Sequence, residues 1–244
     1  VLFRLSSFII SWPVFGVPQV PGPLKVLLSL ALALLVFPLV DTSTLISGPA
    51  LDSLSIVWLV VREGFIGLSF GFLARFFFYA IGIAGEIISV RMGISTAQLF
   101  DPNMDERSAA LNQVMTGFAA LFFLAINGHH LMISGIVDSF RIVPLSESLL
   151  SVFAFGQMGS LVQEVAVFGV KMCAPVMIAI LFMNISMAVV GRAVPQINVL
   201  ITSLPVNILV GFLALLISFP LIVWQMHDIL EVTMTRVFQV LKSY

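Results

Sequence analysis

The chain has 244 residues, 60% of them hydrophobic and only 9% charged, with a net charge of −1 and a mean hydropathy of +1.15. A soluble surface draws on roughly 25% charged residues, so a free-standing soluble domain is excluded and an integral membrane protein, or a subunit buried in a membrane assembly, is expected. The near-zero charge gives no electrostatic case for nucleic acid as a partner.

The elements are all helical, and an all-α fold is expected. The first helix is predicted over Val1–Phe15. Its apolar start has neither a basic leader region nor a small-residue cleavage site, so a cleavable signal peptide is not expected. A turn at Val17–Pro23 leads to a second helix, from Leu24 to about Val40, that begins just after a proline, where helices accept one. Asp41–Asp52 is a polar connector. From Ser53 to about Gly85 the chain is almost continuously apolar, well past the roughly 20 residues that span a bilayer. Gly67 and Gly71 form a GxxxG pair there, with Gly64 nearby, a spacing that lets helix backbones approach closely.

After a central interruption, Ser108 to about Val143 reads as helical with a break at Asn127–His130, and Pro144 ends it. Val152–Val190 is too long for one span, and Pro175 is expected to kink or divide it. Gly191–Asn198 is a loop. Val199–Trp224 is a last apolar segment, broken by Pro205 and Pro220, and Gln225–Tyr244 is an amphipathic tail. Lys and Arg are spread too evenly for their distribution to assign an orientation. No internal repeat of the kind found in many secondary transporters is evident. The 22 Phe against 2 Tyr and 3 Trp favour apolar packing within protein over aromatic belts at the lipid interface, which points to an oligomer.

Chemistry-bearing motifs are scarce. Cys173 stands alone in an apolar run and reads as a small buried hydrophobe. His129 and His130 are adjacent, roughly 100° apart on a helix, and ill placed to share a metal; no cofactor or metal is expected. Neither a phosphate-binding glycine loop nor a nucleophile motif occurs, so no catalysis is expected. The remaining candidates are charges in apolar segments: Arg62, Glu63, Arg75, Glu86, Arg91, Glu164 and Lys171, with Asp138 and Arg141 set to share a helix face. Either they pair within the chain or with neighbouring subunits, or Arg75, Glu86 and Glu164 serve as coupling or selectivity residues of a stand-alone solute transporter or channel.

The segment Glu86–Arg107 is the irregular part of the chain. It packs charges, a glycine, an Asp-Pro and large apolar side chains into one short stretch. In a membrane protein such backbone lies outside the bilayer, is buried by protein, or lines a cavity. Three stretches, in order, carry a resemblance: AGEIISVRMGISTAQLFDP (Ala84–Pro102), INGHHLMISGIVDSFRIVPL (Ile126–Leu145) and AVPQINVLITSLPVNILVG (Ala193–Gly211). Together they resemble the FliR family of the flagellar export apparatus and its injectisome relatives in type III secretion, with the second stretch closer to flagellar members. The likeness extends over the chain except its extreme N-terminus, where the family usually has further residues.

The resemblance implies a single export-gate domain over the whole chain, in the bacterial inner membrane at the flagellar basal body. One copy would join several FliP-like and FliQ-like subunits, with an FlhB-like subunit around the base, to form a gate for unfolded export substrates. It also implies a plug that projects into the channel, from about Arg91 to Asp105. Within it, Arg91, Met92, Gly93, Ile94, Ser95, Thr96, Ala97, Gln98, Leu99, Phe100, Asp101 and Pro102 are the site residues. Met92, Ile94, Leu99 and Phe100 would supply apolar bulk, Gly93 backbone freedom, and Asp101-Pro102 the exit turn. Thr96 stands where a flagellar relative can carry an aromatic, which lessens that bulk.

Overall fold

The computed structural model describes residues 1–16, 20–40, 53–94, 110–143, 153–196 and 198–242, and among them there is no strand. Among these residues seven α-helices follow in chain order: α1 (Leu2–Ser11), α2 (Gly22–Val36), α3 (Ser53–Met92), α4 (Ala110–Ala125), α5 (Gly128–Ile142), α6 (Phe153–Ala193) and α7 (Val199–Lys242), with a 3-10 turn at Phe37–Leu39 after α2.

Prolines explain where the first helices end. α1 stops at Ser11, short of the expected Phe15, because Pro13 crowds the helical conformation of the residue before it. Trp12 is accordingly extended, at φ −69°, ψ 130°. α2 starts behind Pro21 with Pro23 in its first turn, where the missing N–H costs nothing, and it tightens to a 3-10 turn at Pro38.

Two long helices depart from expectation. α3 runs on past Gly85 to Met92. Glu86 and Arg91 do not stop it because both lie on the exposed side, while Ile88 and Met92 continue the buried stripe begun by Ile81 and Ala84. α7 is not broken at Pro205 or Pro220, nor α6 divided at Pro175; each helix runs through its prolines. A proline removes one hydrogen bond and crowds one carbonyl, and in apolar helices neighbouring turns absorb that loss. The expected amphipathic tail is the continuation of α7 to Lys242. The break between α4 and α5 is a 68° bend, with Asn127 in the left-handed region at φ 58°.

Four segments among the described residues are long and apolar enough to cross a membrane: Gly22–Leu39, Ile56–Met92, Val162–Ala193 and Ile201–Thr233; the bent α4–α5 pair would make a fifth. The 37-residue span of α3, Ile56–Met92, measures roughly 55 Å at 1.5 Å per residue. Fitting that length into a hydrocarbon core of about 30 Å would take a tilt beyond the usual ~0–40° range. Part of α3 therefore stands outside the lipid core of any bilayer it crosses. It is also the best-covered span, 61% buried against 17–33% for the other three. Leu34, Phe182, Leu216 and Ile217 typify the apolar faces those helices turn outward.

Contacts divide the chain into two units. The first comprises Val1–Phe77, Phe122–Val162 and Glu231–Tyr244. Its core sets Leu5, Phe8 and Ile9 of α1, with Trp12 just after it, among Ile66, Phe70, Leu73 and Phe77 of α3 and Met132, Ile136 and Phe140 of α5. Phe8 stacks on Trp12 at 5.0 Å and meets Phe70 edge-on at 5.5 Å. The second comprises Phe78–Leu121 and Gln163–Leu230. Its interior holds Ala80, Ile81, Ala84, Ile88 and Met92 of α3, Met115 and Ala119 of α4, Met172, Cys173 and Val176 of α6, and Ile222 and Met226 of α7. Small residues set its helix approaches: a methyl on Gly85 would stand 3.1 Å from the Asn112 Cα, and one on Gly169 2.8 Å from Ile83.

Candidate functional site

The last turn of α3 is the base from which the central segment departs. Arg91 is exposed, whereas Met92 is wholly buried. Its side chain fills the space over Gly211 of α7: a methyl on that glycine would lie 2.5 Å from Met92 Cγ and 2.9 Å from its sulfur. Met92 is thus committed to the interior of its own unit. The helix ends one residue later. The Gly93 N–H donates to the Val90 carbonyl at 3.1 Å, and Gly93 takes φ 82°, a left-handed conformation that glycine adopts without the Cβ penalty of other residues. Ile94 is half-buried. The plug residues Ser95, Thr96, Ala97, Gln98, Leu99, Phe100, Asp101 and Pro102, and on to Asp105, lie outside the described residues.

In the first unit a buried polar cluster ties three helices together. The Arg4 guanidinium, fully buried, donates from Nε and Nη2 to the two Glu63 carboxylate oxygens at 2.8 and 2.7 Å. Nη1 donates to the Ser139 hydroxyl and Nη2 also to the Val143 carbonyl, each at 3.1 Å. The guanidinium carbon lies 4.1 Å from the centre of the Phe140 ring. Arg62 adds a third bond to Glu63 at 3.3 Å. Burial pulls the Arg4 guanidinium below its ordinary range, and the hydrogen bond and charge of Glu63 oppose that. A buried ion pair holds only when geometry and extra hydrogen bonds offset desolvation, and this one has both. Arg62 and Glu63 were legible candidates. Arg4 was not singled out, although a lone Arg inside VLFRLSSFII carried the same signal.

Beside this cluster α1 runs parallel to α3 at backbone contact. A methyl on Gly67 would collide with the Arg4 carbonyl and the Ser7 hydroxyl, and one on Gly71 with the Ser11 side chain and the Phe8 carbonyl. Gly64 differs: a methyl there would meet nothing within 4 Å. One turn beyond Gly71, Arg75 Nε donates to the Ser11 carbonyl at 2.7 Å.

The other sequence candidates are scattered. Glu86 and Lys171 are exposed and Glu164 is half-buried; the Lys171 ammonium sits 5.4 Å from the Phe168 ring centre. Asp138 and Arg141 form an exposed pair at 3.7 Å, a contact of small energetic weight in water. The His129 and His130 ring centres lie 4.1 Å apart, with the rings tilted by 43°. Among the described residues no three His, Cys, Asp or Glu gather into a metal-ligating group.

The family model described as bacterial export proteins, family 1, matches residues 1–233. The chain belongs to that family. Among similar members is the flagellar biosynthetic protein FliR of Bacillus subtilis, 29% identical over 238 residues that span 96% of this chain and 90% of the relative. FliR of Aquifex aeolicus is 29% identical over 93% of this chain and 86% of its own length, and FliR of Escherichia coli 29% over 91% and 83%. The family match covers α1 through most of α7, so both units, the Arg4–Glu63 cluster and the Met92–Gly211 contact fall within it.

Proposed function

We propose that this chain is the FliR-like subunit of a flagellar type III export gate in the bacterial inner membrane. One copy assembles with several FliP-like and FliQ-like subunits, and an FlhB-like subunit sits at the base. The gate passes unfolded export substrates, and the chain acts without catalysing a reaction, by forming part of the channel wall and the plug that seals it. The observation that carries this reading is the family match over residues 1–233, with relatives named as flagellar biosynthetic proteins.

Two physical features support it. α2, α6 and α7 turn large apolar faces outward, and α3 and α7 are longer than a bilayer needs. Helices of that kind are stable when partner helices cover them beyond the lipid. The helix that leads into the central segment is also firmly anchored: Met92 is locked under Gly211, and Gly93 redirects the chain. A plug built from Gly93 to Pro102 then moves on a fixed base, with Ile94, Leu99 and Phe100 as its soft apolar bulk.

The test is native mass spectrometry of the chain purified after co-expression with its genomic neighbours. One copy bound to several copies of two smaller membrane proteins is the expected result. A monomer or homo-oligomer, with those neighbours expressed but unbound, overturns it and returns attention to a stand-alone transporter.

A further inference from the structure

Between α1 and α3 lies an open groove of about 460 Å³, lined by Ile10, Ser11, Phe65, Leu68, Ser69, Phe72 and Arg75. We infer that it seats one acyl chain of an anionic phospholipid, whose phosphate is held by the Arg75 guanidinium. The inference rests on the chain's being a membrane protein, and on nothing about the plug or the gate.

The dimensions fit a single leaflet. The α3 lining residues fall on one stripe from Phe65 to Arg75, which spans roughly 15 Å along the helix. That is half of a hydrocarbon core about 30 Å thick. A chain lying in the groove with its end at leaflet depth therefore places its headgroup at Arg75. The earlier charges on α3, Arg62 and Glu63, are turned into the protein and bonded there. The outward face from Ile56 to Phe72 is apolar, with Ile56, Val57, Trp58, Val61, Leu68 and Phe72 exposed. Tyr79, four residues after Arg75 and 45% exposed, is a residue type that gathers at headgroup level.

Charge decides the kind of lipid. Arg75 Nε is fixed on the Ser11 carbonyl, and the salt bridges among the described residues do not include Arg75. A guanidinium so placed matches a phosphodiester through two parallel hydrogen bonds. The rest of the groove asks for no polar ligand. The Ser69 hydroxyl already donates to the Phe65 carbonyl at 2.8 Å, and the Ser11 hydroxyl to Ser7 and Phe8 carbonyls at 2.8 and 3.0 Å. One cation at the end of an otherwise apolar slot is the complement of an amphiphile with one anionic head, more than of a partner helix with polar groups along its length.

The test uses the full chain in mild detergent, alone and co-purified with its genomic neighbours, incubated with palmitoyl-oleoyl phosphatidylglycerol or the matching phosphatidylcholine. Native mass spectrometry reads the bound lipid. The expected result is retention of phosphatidylglycerol about tenfold or more above phosphatidylcholine, a preference that Arg75→Gln abolishes and Arg75→Lys partly keeps. Leu68→Trp, which fills the groove and leaves Arg75 in place, should lower retention of both lipids. Equal retention by wild type and Arg75→Gln overturns the proposal. So does competition by glycerophosphate as strong as by the lipid, since the groove would then be idle. If Arg75→Gln leaves lipid binding intact but releases a neighbouring subunit, Arg75 pairs with a partner's carboxylate and the lipid is excluded. Should Arg75→Gln fail to fold, Arg75→Lys and Leu68→Trp carry the test. Because the chain alone is measured too, failure of the gate assembly and failure of the lipid site are read separately.

Discussion

Arg4 and Glu63, 59 residues apart in sequence, meet in two hydrogen bonds of 2.8 and 2.7 Å where neither side chain reaches solvent. The pair fixes the register of α1 on α3, and through Ser139 and Val143 it also holds the end of α5.

Removing either partner leaves the other charge buried and unmatched. Arg4→Ala or Glu63→Ala should each destabilise the chain by about 3–5 kcal/mol, read as a large fall in thermal unfolding temperature in detergent. The charge-swapped double variant, Arg4→Glu with Glu63→Arg, should not restore stability. A carboxylate at position 4 would face the Val143 carbonyl and the Phe140 ring, both of which favour a donor or a cation. Recovery to wild-type stability in the swapped variant would show that the pair acts through charge alone.

The glycines of α3 separate into two kinds. Gly67→Ala and Gly71→Ala push a methyl into the backbone or the Ser11 side chain of α1, an overpacking cost of about 1–3 kcal/mol each. Gly64→Ala meets open space and exchanges glycine for a better helix former, a gain of up to about 1 kcal/mol. Thermal unfolding of the three variants side by side checks the contrast; equal losses at all three positions would contradict the α1–α3 contact.

Met92 and Gly211 should behave as a coupled pair. Gly211→Ala drives a methyl against Met92 Cγ, and Met92→Ala empties a fully buried site, a loss of about 2–5 kcal/mol. The double variant lets the new methyl occupy part of the vacated space, so its loss should be smaller than the sum of the two. A double-mutant cycle on unfolding midpoints measures the coupling. Strict additivity would mean the two side chains do not share that space.

How much of this was readable in advance follows from the range of the interactions. The helices were legible because apolar runs and prolines act locally, and Pro13, by restricting Trp12, was a stop signal one could have weighted more heavily. The overrun of α3 to Met92 was written in the spacing Ala84, Ile88, Met92, a helical stripe that the conspicuous Glu86 and Arg91 obscured. GxxxG gave Gly67 and Gly71, but Gly64 lies roughly 60° around the helix from Gly67, and only the path of α1 tells which of them faces a backbone. Which distant charge Glu63 meets was not legible. Nothing in the neighbourhood of Glu63 distinguishes Arg62 beside it from Arg4 at 59 residues' distance, because that choice is made by the packing of α1.

With Met92 buried under Gly211, the plug proposed above would draw its apolar bulk from the residues after it, Ile94, Leu99 and Phe100. Replacing Leu99 and Phe100 together by Ser should leave subunit stoichiometry unchanged and make the closed complex leak ions, measured as growth inhibition or dye uptake in cells that produce it. Polar side chains hold water where apolar ones expel it, so a gate that closes by dewetting loses its barrier. Met92→Ser should act differently: it disturbs the anchor rather than the seal, and should lower assembly yield before any leak is seen. Unchanged permeability in an assembled Leu99→Ser/Phe100→Ser complex would remove the plug role from this segment and leave it as an ordinary connection between α3 and α4.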